Sequence, residues 1–253
     1  MKSKVLVGFL LLLTFVISGL AHLPARVVVN NISLPPELEI SGISGTIWNG
    51  QAASVRWQHY SFGEVNWQWT PKALFAAKFE TEVRFGRGSS LGLSGRGNLG
   101  VGMSGAYVDG FNASLPLKTI ESLLPPSPIP VVVNGNVELS IQEWVYSMPY
   151  CSIGEGSLVI NTSGIGTPIA QLDTGAIVAD FNCADSVISV VGQQASEQVS
   201  SGLTLSLDAN RQYALTAWFK PESQFPAPLE SQLSWLSYAQ QNDRYQFNFQ
   251  GRL

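Results

Sequence analysis

The sequence predicts an all-β fold of mainly antiparallel strands, arranged as a long curved sheet or a half-open β sandwich, with a few short helices and an N-terminal transmembrane helix. Short runs of alternating apolar and polar residues dominate the chain, as in half-buried strands with one apolar and one solvated face. Glycine recurs between and within these runs, and helical periodicity is scarce. Together these observations favour an antiparallel sheet over helical or parallel architectures.

The N-terminal segment is predicted to be a membrane anchor. Residues 1–4 carry two lysines, and no charged residue occurs from Val5 to Ala21. A helix of about 17 residues spans roughly 25 Å, near the lower limit for a hydrocarbon core of about 30 Å. We expect a cytoplasmic stub at 1–4, an anchor at 5–23 and the rest of the chain outside the cytoplasm, because the positive charges precede the anchor. A signal peptide cleaved after Ala21 is the alternative.

Alternating runs predict about ten strands after the anchor. Phe79 to Phe85 is typical, because charged residues alternate with apolar residues and threonine. Runs that fit the same template are Val55 to Trp57, Val65 to Trp69, Val131 to Val133, Val137 to Ile141, Leu158 to Ile160, Val187 to Val191, Leu203 to Leu207, Tyr213 to Phe219 and Tyr245 to Phe249. The turn residues Asp208 to Arg211 predict a hairpin between Leu203 and Phe219.

The middle of the chain, from Gly86 to Gly110, is rich in glycine. These residues are Gly86, Gly88, Gly92, Gly95, Gly97, Gly100, Gly102, Gly105 and Gly110. We expect them to supply turns with positive φ, bulges and sharp bends.

Helical patterns are few and short. Apolar residues at helical spacing predict one helix within Pro228 to Gln241 and a shorter one within Pro116 to Leu124. Thr70 as N-cap and Pro71 at the first helical position predict one or two further turns. Pro125 to Pro130 is predicted to run extended, and it is a candidate boundary between two sub-lobes of the β region.

The chain has two cysteines, Cys151 and Cys183. We predict a disulfide between them, because an exported chain meets an oxidising compartment and no third thiol competes. Closing this loop contributes roughly 3 to 4 kcal/mol in the chain-entropy model. A pair of free buried thiols is the alternative. A two-cysteine metal site is less favoured, since His59 is the only histidine beyond the anchor and is distant in sequence.

No pattern in the sequence supports catalysis or cofactor binding. Gly95-Arg-Gly97-Asn-Leu-Gly100 matches the dinucleotide fingerprint, but no helix is predicted after it. Gly92-Leu-Ser94 and Gly102-Met-Ser104 begin a Gly-x-Ser-x-Gly elbow but do not complete it. Alternation places Glu80 and Glu82 together on a solvated strand face. Charged residues are 13% of the chain and the net charge is -4, which argues against a nucleic-acid partner. We therefore predict no catalytic, cofactor-binding or metal site, and no enzyme.

Small and aromatic residues form a distinctive series at the start of the β region. Leu34-Pro-Pro36 is followed by Ser44-Gly-Thr-Ile-Trp48-Asn-Gly50-Gln-Ala52 and then by Trp67-Gln-Trp69-Thr-Pro71-Lys-Ala-Leu74. Behind a short membrane segment, this order resembles the family of type II secretion system protein N, also called general secretion pathway protein N. The resemblance is clearest over about residues 20 to 105. The motif residues that carry it are Gly45, Thr46, Trp48, Gly50, Trp67, Trp69 and Pro71.

The resemblance implies an accessory component of the machinery that exports folded proteins across the outer membrane of Gram-negative bacteria. It implies a single-pass inner-membrane protein with a periplasmic β-rich domain at 24–253, and other type II secretion subunits as partners. It implies no catalytic residue, and the motif itself is typical of a strand with an anchoring tryptophan and flanking turn glycines. The alternative is a protein similar to the AsmA family, whose sheet exposes an apolar groove to lipid. Alternating strands permit either such a groove or a closed core.

Overall fold

The computed structural model describes residues 2–123, 132–233 and 243–252, and its strands form one open sheet. The strands are β1 (Leu38–Gly45), β2 (Asn49–Trp57), β3 (Tyr60–Trp69), β4 (Phe79–Arg87), β5 (Ser94–Gly102), β6 (Gly105–Pro116), β7 (Val132–Val145), β8 (Ile153–Gly166), β9 (Gln171–Leu172), β10 (Ile177–Ala184), β11 (Val187–Ala195), β12 (Val199–Leu207), β13 (Gln212–Pro221) and β14 (Tyr245–Arg252).

The sheet is a meander in which each strand pairs with the next one along the chain. The exception is the short β9, which pairs with β8 alone, so that β8 and β10 are neighbours in the main order. All the pairings are antiparallel. The mainly antiparallel all-β fold is confirmed, with a single sheet rather than two packed sheets. The predicted hairpin between Leu203 and Phe219 is also confirmed, as β12 and β13.

The helices are short apart from the first. They are α1 (Lys2–Ala21), α2 (Ala25–Asn31), a 3-10 helix (Pro71–Ala76), α3 (Leu117–Leu123) and α4 (Ala227–Glu230). The sequence did not predict α2, which follows Pro24, packs against β1 and buries Ala25. Within the described residues, no helix combines the length and the apolar character needed to cross a membrane.

The other helix predictions have mixed outcomes. The helix expected within Pro116 to Leu124 is confirmed as α3, and the helix expected from Pro228 begins as α4, while residues 234–242 lie outside the described part. Pro71 starts the 3-10 helix as predicted, but the Thr70 hydroxyl makes no capping hydrogen bond to the described residues. The candidate sub-lobe boundary at 125–130 also lies outside the described part, and β6 pairs directly with β7 on its far side.

One face of the sheet is apolar and the other is polar. Apolar cross-strand pairs run from the first strands to the last, namely Ile43 with Ala52, Val65 with Phe85, Phe111 with Ile141, Leu139 with Leu158, Leu205 with Leu215, and Leu215 with Phe249. On the other face, Arg84 lies opposite Asn66 and Ser140 opposite Ser157. Strands contact chiefly their neighbours, so most side chains on the apolar face are only half-buried.

The glycines of the middle region fall into two groups. A first group has the predicted positive φ, namely Gly86, Gly88, Gly92, Gly105 and Gly110. A second group lies inside β5 instead, namely Gly95, Gly97, Gly100 and Gly102. The prediction of positive φ was wrong for this second group, whereas Gly97 lies at a register shift between Arg96 and Asn98, in agreement with the predicted bulges. Aromatic rings of neighbouring strands lie against Gly95, Gly97 and Gly100, and a β-carbon would collide with them.

Pairing of a glycine with an aromatic ring on the next strand recurs across the sheet. Further pairs are Gly50 with Trp67, Gly154 with Trp144, Gly156 with Phe181, Gly202 with Trp218, and Gly251 with Tyr213. Each ring lies over a strand that has no side chain of its own at that point. Glycines in this sheet therefore provide flat sites on which aromatic side chains of the neighbouring strand pack.

Cys151 and Cys183 form the predicted disulfide, which joins the connection between β7 and β8 to β10. Both cysteines are buried, with exposed fractions of 1% and 3%. Ser186 in the following turn donates its backbone N–H and its hydroxyl to the Cys151 carbonyl, at 2.8 and 3.1 Å. The disulfide therefore links the connection between β7 and β8 to the last residues of β10, at the same end of the sheet.

We expect Gly97→Ala to lower the free energy of unfolding by about 1 to 3 kcal/mol, because the new methyl group requires a shift of strand β6. A β-carbon at residue 97 would lie 2.6 Å from the Phe111 Cα. Urea unfolding followed by tryptophan fluorescence measures the change. Gly166→Ala is the matched control, since its β-carbon would meet ordinary contacts from 3.4 Å outward, and we expect a change within about 0.5 kcal/mol. Equal losses for the two variants would contradict this packing.

Candidate functional site

The first half of the family motif forms the tight connection between β1 and β2. Thr46 and Asn49 close this turn reciprocally: the Thr46 N–H donates to the Asn49 carbonyl at 2.9 Å, and the Asn49 N–H donates to the Thr46 hydroxyl at 3.1 Å. Gly45 has a φ of +85°, and a β-carbon there would lie 2.5 Å from the Asn49 carbonyl oxygen. Glycine is therefore required for the backbone conformation and for the close approach.

This connection holds the end of helix α1. The Trp48 indole N–H donates to the Leu20 carbonyl at 2.8 Å, in the last turn of α1. The Ile47 N–H donates to the Leu23 carbonyl at 3.1 Å, and Pro24 forms an isolated antiparallel bridge with Thr46. Carbonyls at a helix C-terminus have no partner within the helix, so the motif supplies donors that the helix itself lacks.

The second half of the motif fastens the same connection to β3. The Trp67 indole N–H donates to the Thr46 carbonyl at 3.2 Å, and its ring lies over Gly50. The Trp69 backbone N–H donates to the Trp48 carbonyl at 2.6 Å. The structure therefore brings the predicted motif residues of β1, β2 and β3 into one interlocked group.

Three aromatic rings complete this group. The Trp48 ring centre lies 5.0 Å from that of Trp69 and 6.1 Å from that of Phe79, and the rings of Trp69 and Phe79 stack at 6.0 Å. Among the described residues, the buried Trp69 indole nitrogen has no hydrogen-bond partner. Pro71 follows and starts the 3-10 helix, which turns the chain from β3 into β4. Offset and edge-on ring contacts of this kind stabilise packing and perform no chemistry.

Trp57, Trp67 and Trp69 share parity with apolar neighbours on their strands, which predicts three core residues, and the outcomes differ. Trp67 and Trp69 are half-buried on the apolar face, close to the packing role predicted from their strand positions. Trp57, which the same reasoning placed in the core, is 40% exposed at the end of β2. Sequence reasoning also missed the contact of Trp48 with Leu20, since nothing in the spacing of two residues so far apart indicates it.

The polar face carries ion pairs. Among its described carboxylates, we find no separate pair placed to act as general acid and general base. A shallow cleft of about 720 Å³ lies over β2 to β4. Within it, Arg84 pairs with Glu82 at 2.7 Å, and Arg87 pairs with Glu64 at 3.8 Å. His59 lies in the turn after β2, with its ring 4.0 Å from that of Tyr60. No group of histidine, cysteine and carboxylate side chains suited to a metal ion occurs in the described part of the chain.

Tyr107 in β6 is a buried titratable residue that contacts the start of β4. It is 7% exposed, and its hydroxyl donates to a Glu80 carboxylate oxygen at 2.9 Å. Burial is the largest cause that raises the pKa of Tyr107 to about 12, followed by the hydrogen bond and the negative charge of Glu80 and then the charge of Asp109. The Lys78 ammonium lies 4.7 Å from the centre of the same ring. This group secures the start of β4 against β6.

Comparison with known proteins identifies the relatives of this fold. Residues 36–248 match the family described as type II secretion system (T2SS), protein N. The type II secretion system protein N of Vibrio cholerae serotype O1 is 44% identical over 253 residues, and that of Aeromonas hydrophila is 30% identical over 256 residues, with the whole of both chains covered in each case. The Pectobacterium carotovorum protein of the same name is 22% identical over 253 residues. No solved structure matches the chain.

The matched family and these relatives are all named for a protein-secretion system, so the class of protein is a component of a secretion machinery. The chain belongs to the type II secretion system protein N family. The resemblance inferred from the sequence is thereby confirmed, and the chain is a component of the type II secretion machinery. The specific role of the motif residues stays a prediction, which the following substitutions test.

We expect Trp48→Phe to lower the free energy of unfolding by about 0.5 to 1 kcal/mol, because it removes one hydrogen bond and keeps the ring contacts. Trp48→Ala removes both, and we expect a loss of about 2 to 3 kcal/mol. Chemical unfolding of the full chain in detergent measures both values. Phe75→Ala in the adjacent 3-10 helix is the control, because Phe75 is 95% exposed. Unchanged stability in Trp48→Ala would show that the motif has another purpose.

The raised pKa of Tyr107 predicts that the free energy of unfolding falls at high pH. Its folded pKa lies above the ordinary tyrosine value of 10.0, so its stabilising contribution is complete below pH 10 and is lost as the pH rises toward about 12. We expect the unfolding free energy of the wild type to fall between pH 9.5 and 11.5 by more than that of Tyr107→Phe. Identical pH profiles would mean that Tyr107 ionises in the folded state as it does in water.

Proposed function

We propose that the chain is an accessory component of the type II secretion machinery, held in the inner membrane through residues 5–23, with 1–4 in the cytoplasm and 24–253 in the periplasm. Its work there is scaffolding through protein contacts with other secretion subunits. Membership of the family supports the assignment of these contacts to the type II secretion machinery.

The composition and exposure of α1 support the anchor. No charged residue occurs from Val5 to Ala21, and two lysines precede this stretch, which favours a cytoplasmic N-terminus. Large apolar side chains of α1 are exposed all round the helix, namely Leu6, Val7, Phe9, Leu10, Leu11, Leu12, Leu13, Phe15, Val16, Ile17 and Leu20. Transfer of this apolar surface from water into a bilayer lowers the free energy.

The edge strand β14 is the observation that carries the scaffolding proposal. Among the described strands it pairs with β13 alone, so between Gln246 and Arg252 one row of its backbone groups is available to an added strand. Its apolar side chains extend the stack of Phe219 with Phe247 at 6.1 Å, and Phe249 is 56% exposed. The opposite edge strand β1 is partly covered, because α2 packs against it. We therefore infer that β14 is the edge that a partner subunit extends.

Deletion of the gene in its natural host tests this function. We expect less secreted substrate in the culture medium, with complementation by the wild type and by Gln246→Lys. Phe249→Lys places a charge on the apolar side of the same edge, and we expect it to fail in complementation while its level in the membrane fraction stays normal. Unchanged secretion and unchanged assembly of the apparatus after deletion would contradict the proposal.

A lipid-binding role is the second candidate, because the apolar face runs through the whole sheet and is only half-buried. This face has the character of the groove expected for a protein similar to the AsmA family. Phospholipid retained by the purified full chain distinguishes the two roles. Leu139→Gln alters the apolar face and Ser140→Gln the polar face, so a groove predicts lipid loss in the first variant only. Equal lipid content in both, together with crosslinks to secretion subunits, favours the scaffold.

A further inference from the structure

Exposed apolar side chains cluster in certain connections between strands. Phe75 is 95% exposed, Met103 is 93% exposed and Met148 is 83% exposed, and Leu74 and Tyr146 are more than half exposed. We call Leu74, Phe75, Met103, Tyr146 and Met148 the apolar fringe. None of these side chains lies within a strand, so cross-strand packing does not explain them.

The topology places the apolar fringe at one end of the sheet. In an antiparallel meander, connections alternate between the two ends, and those that follow β1, β3, β5 and β7 share an end. Leu74 and Phe75 follow β3, Met103 follows β5, and Tyr146 and Met148 follow β7. The connection after β1 is the motif turn, which holds the last carbonyls of α1 through Trp48. The fringe therefore lies at the end of the sheet to which α1 is attached.

The opposite end has a different composition. In the described connections there, Gln58 and His59 follow β2, and Ser89 and Ser90 follow β4. Ile169 is the large apolar side chain that is exposed in these described connections, and Ile32 and Leu34 are exposed in the segment that leads from α2 into β1. The contrast between the two ends indicates that the end that carries α1 lies in an environment that favours exposed apolar side chains.

We propose that the apolar fringe inserts into the headgroup and acyl boundary of the membrane that α1 enters, so that the sheet rests on the periplasmic surface of the bilayer. This inference rests on the proposed anchoring. Phenylalanine, tyrosine, methionine and leucine gain free energy at such a boundary. Lys72, exposed in the same 3-10 helix as Phe75, suits the anionic phospholipid headgroups.

A bilayer is favoured over a protein as the occupant because of continuity with α1. The hydrogen bonds of Trp48 and Ile47 to the end of α1 keep this end of the sheet beside the point where the chain leaves the helix. The fringe ends at β8, since the later connections at the same end carry Asp185 after β10 and Asp208 after β12. The sheet is therefore inclined, with β1 to β8 on the membrane and the later strands raised from it.

Site-directed spin labelling of the full chain in vesicles of phosphatidylethanolamine and phosphatidylglycerol tests the proposal. Nitroxides attach to Phe75→Cys and Met103→Cys, while the native cysteines are engaged in their disulfide. Collisional relaxation by oxygen and by a water-soluble nickel chelate reports depth. We expect both labels to be several-fold more accessible to oxygen relative to the chelate than the matched controls Ile169→Cys, at the opposite end, and Asn210→Cys, beyond the fringe. All four positions are exposed, so we expect the labelled variants to keep their fold, which circular dichroism checks.

The result that overturns the proposal is equal access of the nickel chelate to positions 75, 103, 169 and 210. A label at Phe15→Cys in α1 separates this failure from failure of the anchor. A label at 15 inside the bilayer, with 75 and 103 in water, refutes the fringe and leaves the anchoring intact. A label at 15 in water refutes the anchoring itself, and the inference falls with it.

Discussion

The sheet stabilises a long apolar face without a second sheet packed against it. Because its strands contact chiefly their neighbours, apolar burial has to come from pairs across adjacent strands. Aromatic rings that pack over glycines of the next strand provide this burial, as Phe111 does at Gly97 and Phe181 does at Gly156. The same constraint accounts for the few fully buried side chains, the abundance of glycine and the aromatic residues that continue to β14.

A sheet built from successive hairpins needs a defined start, and the family motif provides it. Thr46 and Asn49 close the first turn by a hydrogen bond. The Trp67 indole N–H donates to the Thr46 carbonyl, and the Trp48 indole N–H donates to a carbonyl at the end of α1. These bonds connect the helix to three strands at once. Under the proposed anchoring, such a connection fixes the orientation of the sheet relative to the membrane, which a flexible linker does not do.

Much of this architecture was predictable from alternation, because a period of two is a local property. Strands such as β4, β12 and β13 were found for this reason, as was the disulfide from cysteine count and compartment. Strand β5 was missed, since Gly95, Gly97 and Gly100 within it are explained only by rings on neighbouring strands, and β6 and β10 were missed as well. The motif residues were recognised by resemblance, whereas the bond from Trp48 to Leu20 joins residues too distant for any spacing rule.

The central claim is that the motif fixes α1 relative to the sheet, and a distance measurement across this junction tests it most directly. Nitroxides at Phe15→Cys in α1 and Gln68→Cys in β3 allow pulsed electron paramagnetic resonance on the full chain in lipid nanodiscs. The account predicts a narrow distance distribution that broadens when Trp48→Phe removes the bond to Leu20. A broad distribution in the otherwise unaltered chain would contradict it.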